Sequence, residues 1–341
     1  MACPQAMNSS QEEPVDRTLL NQALGVFMLV SFLVGITLNG LLLWLLWAKM
    51  DRTVNILWFL HLTLSYLISC CCLPFFGIST FYSQWVFDNF SCKLGNFSIT
   101  MAMFTTVYLL TIISLDRYLL ICHPMWSQRH RTIPRVRWII AAVWVTSLFL
   151  SSPYLAFASI KTVKGSKVHC VIDYALISNW DKHAVYLSFF VIRSLLAFLI
   201  PFFIIMGCYC LMCKEIKKKR LMKNEKPFRV LLAAILSFFI FRSPYYIYAG
   251  SCLLKAPMNL QASLWMVFII GICLNICFTP VLYLFVGQKF QQVFKTSIIV
   301  LLRKGFTENP IWSRQESSTV NKSKESKNSS CLEPLSPLPS P

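Results

Sequence analysis

The chain has 341 residues, of which 56% are hydrophobic and only 13% are charged. A soluble domain normally carries about 25% charged residues, so this composition excludes an ordinary soluble protein. The formal net charge of +18 would fit a nucleic-acid-binding protein, but the positions of the basic residues argue against that class, as described below.

Seven apolar runs follow one another along the chain, and each is long enough to cross a bilayer, which takes about 20 helical residues. They must be helices, because lipid offers no partner for unpaired backbone groups. The predicted spans one to seven are Leu20–Trp47, Val54–Tyr82, Cys92–Cys122, Val136–Phe157, Ala184–Cys213, Pro227–Leu253 and Leu260–Val286. The sequence therefore predicts an all-α seven-helix transmembrane domain over residues 20–286.

Basic residues are concentrated in alternate loops and after span seven. They are Lys49, Arg52, Arg129, Arg131, Arg135, Arg137, Lys214, Lys217, Lys218, Lys219, Arg220, Lys223, Lys226, Lys289, Lys295, Arg303 and Lys304. The positive-inside rule places these segments in the cytosol and the polar segment 1–19 outside the cell, in a multi-pass plasma-membrane protein. Topology and contact with anionic membrane lipid explain the basic clusters, so we expect no nucleic acid as a partner.

Cysteines and glycosylation sequons fit this topology. Of the 14 cysteines, most lie at membrane depth, where they act as small apolar packing residues. Cys92 begins span three and Cys170 lies in the following outer loop, so an oxidising exterior favours a disulfide bond between them. A second bridge between Cys3 and Cys252 stays open. The sequons at Asn8 and Asn89 fall on outer segments and are predicted glycosylation sites.

The segment LDRY at the cytosolic end of span three contains Asp116, Arg117 and Tyr118. Together with the seven spans, it resembles the rhodopsin-like (class A) G-protein-coupled receptors, and the resemblance covers roughly residues 20–302. Other positions that match motif residues of this family are Asn39, Trp144, Pro201, Tyr209, Pro244, Pro280 and Tyr283. The segments LHLTLSY, HPMWSQRHRT, KPFRVLLAAILSFF and TPVLYLFVGQKF are similar to the chemoattractant receptors, which include the formyl-peptide, anaphylatoxin and chemerin receptors.

The resemblance implies how the chain would signal. Asp116 would neutralise Arg117 in the resting state, and Arg117 would contact a heterotrimeric G protein, of the inhibitory type, when span six moves outward. The residues implied in coupling and activation are Asp116, Arg117, Tyr118, Tyr209, Arg242, Pro244, Thr279, Pro280 and Tyr283. A simple anchor pair at the membrane interface is the alternative reading of Asp116 and Arg117.

Arg193 stands eight residues before Pro201, inside predicted span five. An arginine at this depth is costly and indicates a functional site, although its side chain could also extend to the outer interface. The chemoattractant receptors that this chain resembles use an arginine at this place to bind an anionic group. The planar guanidinium suits that role. Other expected ligand-binding residues, which could equally be packing residues, are Thr100, Met103, Phe76, Tyr245 and Tyr246.

The ligand implied by the resemblance is an extracellular anionic peptide or lipid. Formyl-peptide receptors add an aspartate in span three and a second arginine in span five, where this chain has Thr100 and Phe189. We therefore do not expect formyl-methionine as the ligand. An acidic peptide end and a carboxylated lipid both stay open.

Three residues depart from the pattern of the family. Tyr66 replaces the span-two aspartate that holds sodium, Arg242 replaces the span-six tryptophan, and Thr279 replaces Asn or Asp before Pro280. A phenol cannot replace a carboxylate as a ligand of a hard cation, so no metal is expected, and we hypothesise that the three residues together replace the sodium-centred switch.

Arg242 needs a partner, because a buried charge without one is expensive. It could bond Asn275 and Tyr66, use backbone carbonyls or meet the anion of the ligand. Alternatively, it marks a decaying gene.

The C-terminal part divides into two segments. Residues 287–303 resemble the amphipathic juxtamembrane helix of the family, with Phe290 and Phe294 on one face. Residues 304–341 are too polar to fold. This tail is either simply solvated or phosphorylated on its serines to bind arrestin.

A signalling receptor is the predicted function. The alternatives are a scavenger or decoy receptor and, with less support, a transporter or channel, for which the sequence lacks inverted repeats. We expect neither an enzyme nor a cofactor, since the sequence has no metal-ligand spacing, nucleophile–base pair or phosphate loop.

Overall fold

The computed structural model describes residues 15–162, 167–174, 181–218 and 226–282, with the backbone alone for 15–16 and 226–231. Asn8, Tyr283 and the predicted segments 287–303 and 304–341 lie outside the described residues. The described elements are α1 Val15–Ala48, α2 Val54–Phe81, α3 Asn89–Cys122, α4 Pro124–His130, α5 Ile133–Ser151, α6 Pro153–Phe157, β1 Ala158–Thr162, β2 Val168–Ile172, α7 Lys182–Ser194, a π-helical turn Leu195–Leu199, α8 Ile200–Lys218, α9 Lys226–Leu253 and α10 Met258–Val281.

Seven segments of the described chain are long and apolar enough to cross a membrane, which confirms the predicted all-α seven-helix architecture. Span four consists of α5 and α6, and span five consists of α7, the π-helical turn and α8. The remaining spans are the single helices α1, α2, α3, α9 and α10.

Polar caps determine where several of these helices begin. Asp88 starts α3 by accepting a hydrogen bond from the Ser91 N–H at 2.9 Å, so the helix begins before Cys92, where the apolar run starts. Hydrogen bonds from the Ser91 hydroxyl and N–H hold the pKa of the Asp88 carboxyl below its usual value. Asp181 caps α7 in the same way, accepting from the His183 N–H at 3.0 Å.

The core of the bundle lies around α3, which contacts α2, α5 and α8 and is the most buried of the seven spans. Helix α1 packs on α2 and α10, and α10 also packs on α9. Polar groups cross-link these helices: the Asn39 amide donates to the Ile276 carbonyl at 3.1 Å, and the Trp144 Nε1 donates to His61 Nδ1 at 3.2 Å.

An antiparallel hairpin of β1 and β2 pairs Ile160 with Cys170 and lies over one end of the bundle, called here the hairpin end. The structure has a disulfide bond between Cys92 and Cys170, with their Cα atoms 5.7 Å apart, and this bond attaches β2 to the start of α3. The opposite end, where α3 finishes, is called the Arg117 end.

Helices α9 and α10 approach each other closely at one point. A Cβ atom added to Gly271 would lie 2.4 Å from the carbonyl oxygen of Phe241, so only glycine fits there. Pro244 follows one turn later inside α9, and Pro280 lies inside α10. A proline within a helix removes a backbone hydrogen bond and favours a bend.

Candidate functional site

Arg193 lies inside the bundle, where 7% of its surface is exposed. Arg193 is the penultimate residue of α7, and the π-helical turn begins where α7 ends, at Leu195. Such turns are frequent at functional sites. One guanidinium nitrogen, Nη1, donates to the Tyr154 hydroxyl at 2.7 Å, and Nη2 lies 3.2 Å from the Met103 sulfur. The guanidinium also stacks on the Tyr245 ring at 4.4 Å. The alternative of a side chain extended to the outer interface is therefore wrong.

The guanidinium of Arg193 has unused binding capacity. Its Nε has no hydrogen-bond partner, and the buried hydroxyl of Thr100 also has none. No described carboxylate forms an ion pair with Arg193. Because buried polar groups are normally satisfied, unmet donors at a buried cation indicate a place for an anion.

Aromatic rings from three helices form one side of the site. Tyr245 contacts Tyr246 and Phe268 with ring centres 5.1 and 5.0 Å apart, and Tyr246 contacts Phe198 at 4.7 Å. The expected ligand residues Met103, Tyr245 and Arg193 thus lie together. Phe76 is placed elsewhere: it packs with Trp85 at 5.8 Å, in the cluster that contains Cys92 beneath the hairpin.

Arg242 is the second buried cation, with 6% of its surface exposed, and it precedes Tyr245 by one turn of α9. Its guanidinium lies 5.8 Å from the Phe238 ring, and its Nε has no hydrogen-bond partner. The bond to Asn275 considered from the sequence is absent, since both side-chain polar atoms of Asn275 lack a partner. The Thr279 hydroxyl instead donates to the Tyr66 hydroxyl at 3.2 Å, so two of the three departing residues do meet.

The two buried arginines form one positive region. Arg193 stacks on Tyr245 of α9, and Arg242 precedes that tyrosine by one turn of the same helix. Neither has an ion-pair partner among the residues that the structure describes. Removing two guanidinium groups from water without a counter-charge is costly, so a bound anion would offset part of that cost.

The Arg117 end carries a second cluster of charges. Arg131 donates from Nε and Nη2 to the two oxygens of Asp116 at 2.7 and 3.0 Å, whereas the Nη2 of Arg117 lies 3.8 Å from the same carboxylate. Arg117 donates to the Asn55 Oδ1 at 2.5 Å, and Arg131 donates to the same oxygen. The contact between Asp116 and Arg117, which the sequence predicts, is therefore longer than the contact between Asp116 and Arg131. Arg131 reaches Asp116 because α4 folds the chain back to the end of α3.

Two other residues implied in activation, Tyr118 and Tyr209, lie on α3 and α8. Tyr118 pairs its hydroxyl with the His123 ring at 3.3 Å. Tyr209 is buried on α8, within electrostatic reach of Arg117. Asn55 and Arg131 were not predicted as site residues. The only signal for them in the sequence is a polar residue in the first turn of span two and a basic residue soon after span three.

Asn89 is exposed at the start of α3, and its side-chain oxygen accepts from the Ile160 N–H at 3.1 Å. Its side-chain nitrogen is the atom that glycosylation would use. Modification of Asn89 stays a prediction.

The family model described as seven-transmembrane receptor (rhodopsin family) matches residues 38–283. Among curated proteins, the probable G-protein coupled receptor 33 of Homo sapiens is 41% identical over 289 residues, which are 82% of this chain and 86% of the relative. The protein of the same name from Mus musculus is 38% identical over 321 residues, 92% of each chain. Chemerin-like receptor 1 of Mus musculus is 33% identical over 304 residues, 83% of this chain and 80% of the relative.

Proposed function

Because the chain belongs to the rhodopsin family of seven-transmembrane receptors and is a G-protein-coupled receptor, we propose that it binds an extracellular anionic ligand at Arg193. We further propose that it signals through a heterotrimeric G protein of the inhibitory type. In this proposal the hairpin end faces the outside of the cell and the Arg117 end faces the cytosol, in line with the distribution of basic residues. The similarity to a chemerin-like receptor supports a chemoattractant-like role.

The observation that carries the ligand proposal is the buried guanidinium of Arg193 with its unbonded Nε. A carboxylate bound there would supply the missing acceptor and a counter-charge in a region of low dielectric constant. Hydrogen bonds to charged groups contribute about 1.5–3 kcal/mol. That range corresponds to roughly ten- to hundred-fold in affinity.

Arg242, which precedes Tyr245 by one turn of α9, would contribute to the same site. Its positive charge adds to the potential at Arg193, and its Nε also lacks an acceptor. An anionic ligand would lower the repulsion between the two arginines. The energy of binding would thus depend on the position of α9, which is the helix that carries both Arg242 and Tyr245.

On the cytosolic side, Arg117 is the residue proposed to contact the G protein. In the described conformation it is held by Asn55 on α2 and lies near Asp116. Weakening of these two contacts would help its guanidinium to reach a partner outside the bundle. Arrestin binding to a phosphorylated tail and contact of the basic loops with anionic lipid complete the set of proposed partners.

A scavenger or decoy receptor is the second candidate function. The observation that favours it is the altered centre of the bundle, where the bond between Thr279 and Tyr66 takes the place of a sodium-binding carboxylate. A receptor with this change could bind and internalise its ligand without coupling to a G protein.

One experiment separates the two candidates. Cells with the tagged receptor are screened with acidic peptides and carboxylated lipids, and G-protein dissociation and ligand uptake are measured together. A response that is lost in Arg117→Ala supports the signalling receptor, whereas uptake without any response supports the decoy. The ligand proposal is tested with Arg193→Ala, and unchanged potency of the best acidic ligand in that variant would overturn it.

A further inference from the structure

A groove runs between spans four and five near the hairpin end. It encloses about 640 Å³, a size within the range of about 300–1,000 Å³ typical of small-molecule sites. One wall is formed by Phe149 and Pro153 of span four, and the other by Ser188 and Ile192 of α7. The lining is mainly apolar, so the groove suits a hydrocarbon chain.

The mouth of the groove opens on the outer surface of the bundle. Phe149 is 75% exposed and Ile192 is 52% exposed, and both would face lipid in a membrane. A molecule dissolved in the bilayer could therefore enter sideways, without passing through water. Peptides are poorly suited to this route, because their backbone groups would lack hydrogen-bond partners in an apolar groove.

The inner end of the groove is formed by Arg193 and Tyr154, which are both buried and bonded to each other. Arg193 is more than nine-tenths buried, and its Nε has no hydrogen-bond partner. An apolar passage thus leads from the lipid face to a cation with unused binding capacity.

Asp181 lines the groove at the start of α7, near the water-exposed rim. Its carboxylate caps the helix by accepting from the His183 N–H, and the exposed Lys182 follows it, so these two rim charges cancel. The unbalanced positive charge that lines the groove is that of Arg193, at the inner end.

We propose that this groove binds a single-chain anionic lipid of the outer leaflet, whose carboxylate contacts Arg193 and whose acyl chain lies between spans four and five. The proposal rests on the proposed function for the placement of an anion at Arg193 and for the outward orientation of the hairpin end. It goes beyond that function by selecting a lipid over a peptide and by giving its route.

The test uses the full-length receptor in lipid nanodiscs and a photoreactive oleate analogue with a diazirine in its chain. Labelled peptides are mapped by mass spectrometry. We expect labels in span four and α7, displaced by oleate but not by butyrate or methyl oleate. Arg193→Gln should reduce labelling at least tenfold, and so should Ser188→Trp, which fills the groove without touching the charge.

Val191→Trp is the matched control, because Val191 is an exposed residue of the same helix that does not line the groove; labelling of this variant should equal wild type. Labelling that Ser188→Trp leaves unchanged, or competition by methyl oleate equal to that by oleate, would overturn the proposal.

Two further results distinguish this proposal from the proposed function. If an acidic peptide activates the receptor through Arg193 and Ser188→Trp has no effect on any ligand, the groove proposal fails and the proposed function stands. If oleate labels the groove but no G protein dissociates, the groove proposal stands and signalling fails.

Discussion

Asp116 is held by Arg131 more closely than by its neighbour Arg117, since Arg131 reaches both carboxylate oxygens at 2.7 and 3.0 Å and Arg117 stays at 3.8 Å. Both arginines also donate to the single oxygen of Asn55. Arg131 therefore competes with Arg117 for Asn55 and for Asp116. In the described conformation this competition weakens two contacts of the residue that is proposed to contact the G protein.

Two substitutions at this cluster should act in opposite directions. Arg131→Ala removes the competitor, so Arg117 is held more tightly and basal signalling should fall, whereas Asn55→Ala removes a partner of Arg117 and should raise it. Each of these pairs is partly exposed and contributes about 1 kcal/mol or less. Basal signalling should therefore change by up to about fivefold. Basal G-protein dissociation measures both, and the exposed Arg129→Ala controls for loss of charge. Equal effects of Arg131→Ala and Arg129→Ala would contradict the competition.

Tyr154→Phe should make the receptor depend more on its ligand. The change removes the acceptor for Nη1 of Arg193, and an unsatisfied buried donor costs about 1–3 kcal/mol. The melting temperature without ligand should fall, and an anionic ligand should raise it by more than in wild type, because the ligand replaces the lost acceptor. Tyr82→Phe, at an exposed tyrosine, serves as the control. A ligand-induced shift equal to that of wild type would speak against an anion at Arg193.

Arg242→Met should stabilise the unliganded receptor. Arg242 is a buried charge without an ion-pair partner in the described part of the chain, and replacing buried ions by apolar residues of similar size often gains about 1–4 kcal/mol. Thermal unfolding of the purified protein measures the gain, and ligand affinity should fall in the same variant. Arg52→Met, at an exposed arginine, should leave both quantities near wild type. A less stable Arg242→Met protein would disprove the account of an unpaired charge.

Sodium should not affect agonist binding. The hydroxyl groups of Tyr66 and Thr279 bond to each other, and neither supplies the carboxylate that a hard cation prefers. Agonist affinity should be the same in sodium chloride and in choline chloride at equal ionic strength. A several-fold change on this exchange would show that another residue holds the cation.

Gly271→Ala should disrupt the contact between α9 and α10. The added methyl group would lie 2.4 Å from the backbone oxygen of Phe241, which cannot move as a side chain can. Overpacking of this kind costs about 1–3 kcal/mol. Gly207→Ala is the matched control, since nothing lies within 4 Å of its added Cβ, and alanine favours a helix. Thermal stability should fall only in the first variant, and equal stability of the two would contradict the close approach.

The sequence was sufficient for the architecture, because seven apolar runs leave helices as the only way to satisfy the backbone in lipid. It also indicated Arg193, since a charge inside an apolar run has a high cost and needs a reason. The sequence predicts the start of α3 too late, because the cap at Asp88 extends the helix through Asn89 and Ser91, which are polar and precede the apolar run.

The remaining parts depend on tertiary structure. The pairing of Arg131 with Asp116 needs the fold of α4, and the groove is a gap between elements, for which no residue pattern exists. A bond from Arg242 to Asn275 is one of several partners that the sequence leaves open, but helical side chains lean toward the N-terminus of their own helix. Its guanidinium accordingly lies over Phe238, one turn earlier.

The close approach of Gly271 to Phe241 gives α9 a fulcrum. At this point no side chain separates the two backbones, so a tilt of α9 would pivot at this contact with α10. Pro244 lies one turn beyond the pivot, on the arm that carries Tyr245. A small displacement of that arm would become a larger displacement at the other end of α9, because the arm from Lys226 to Phe241 is the longer one.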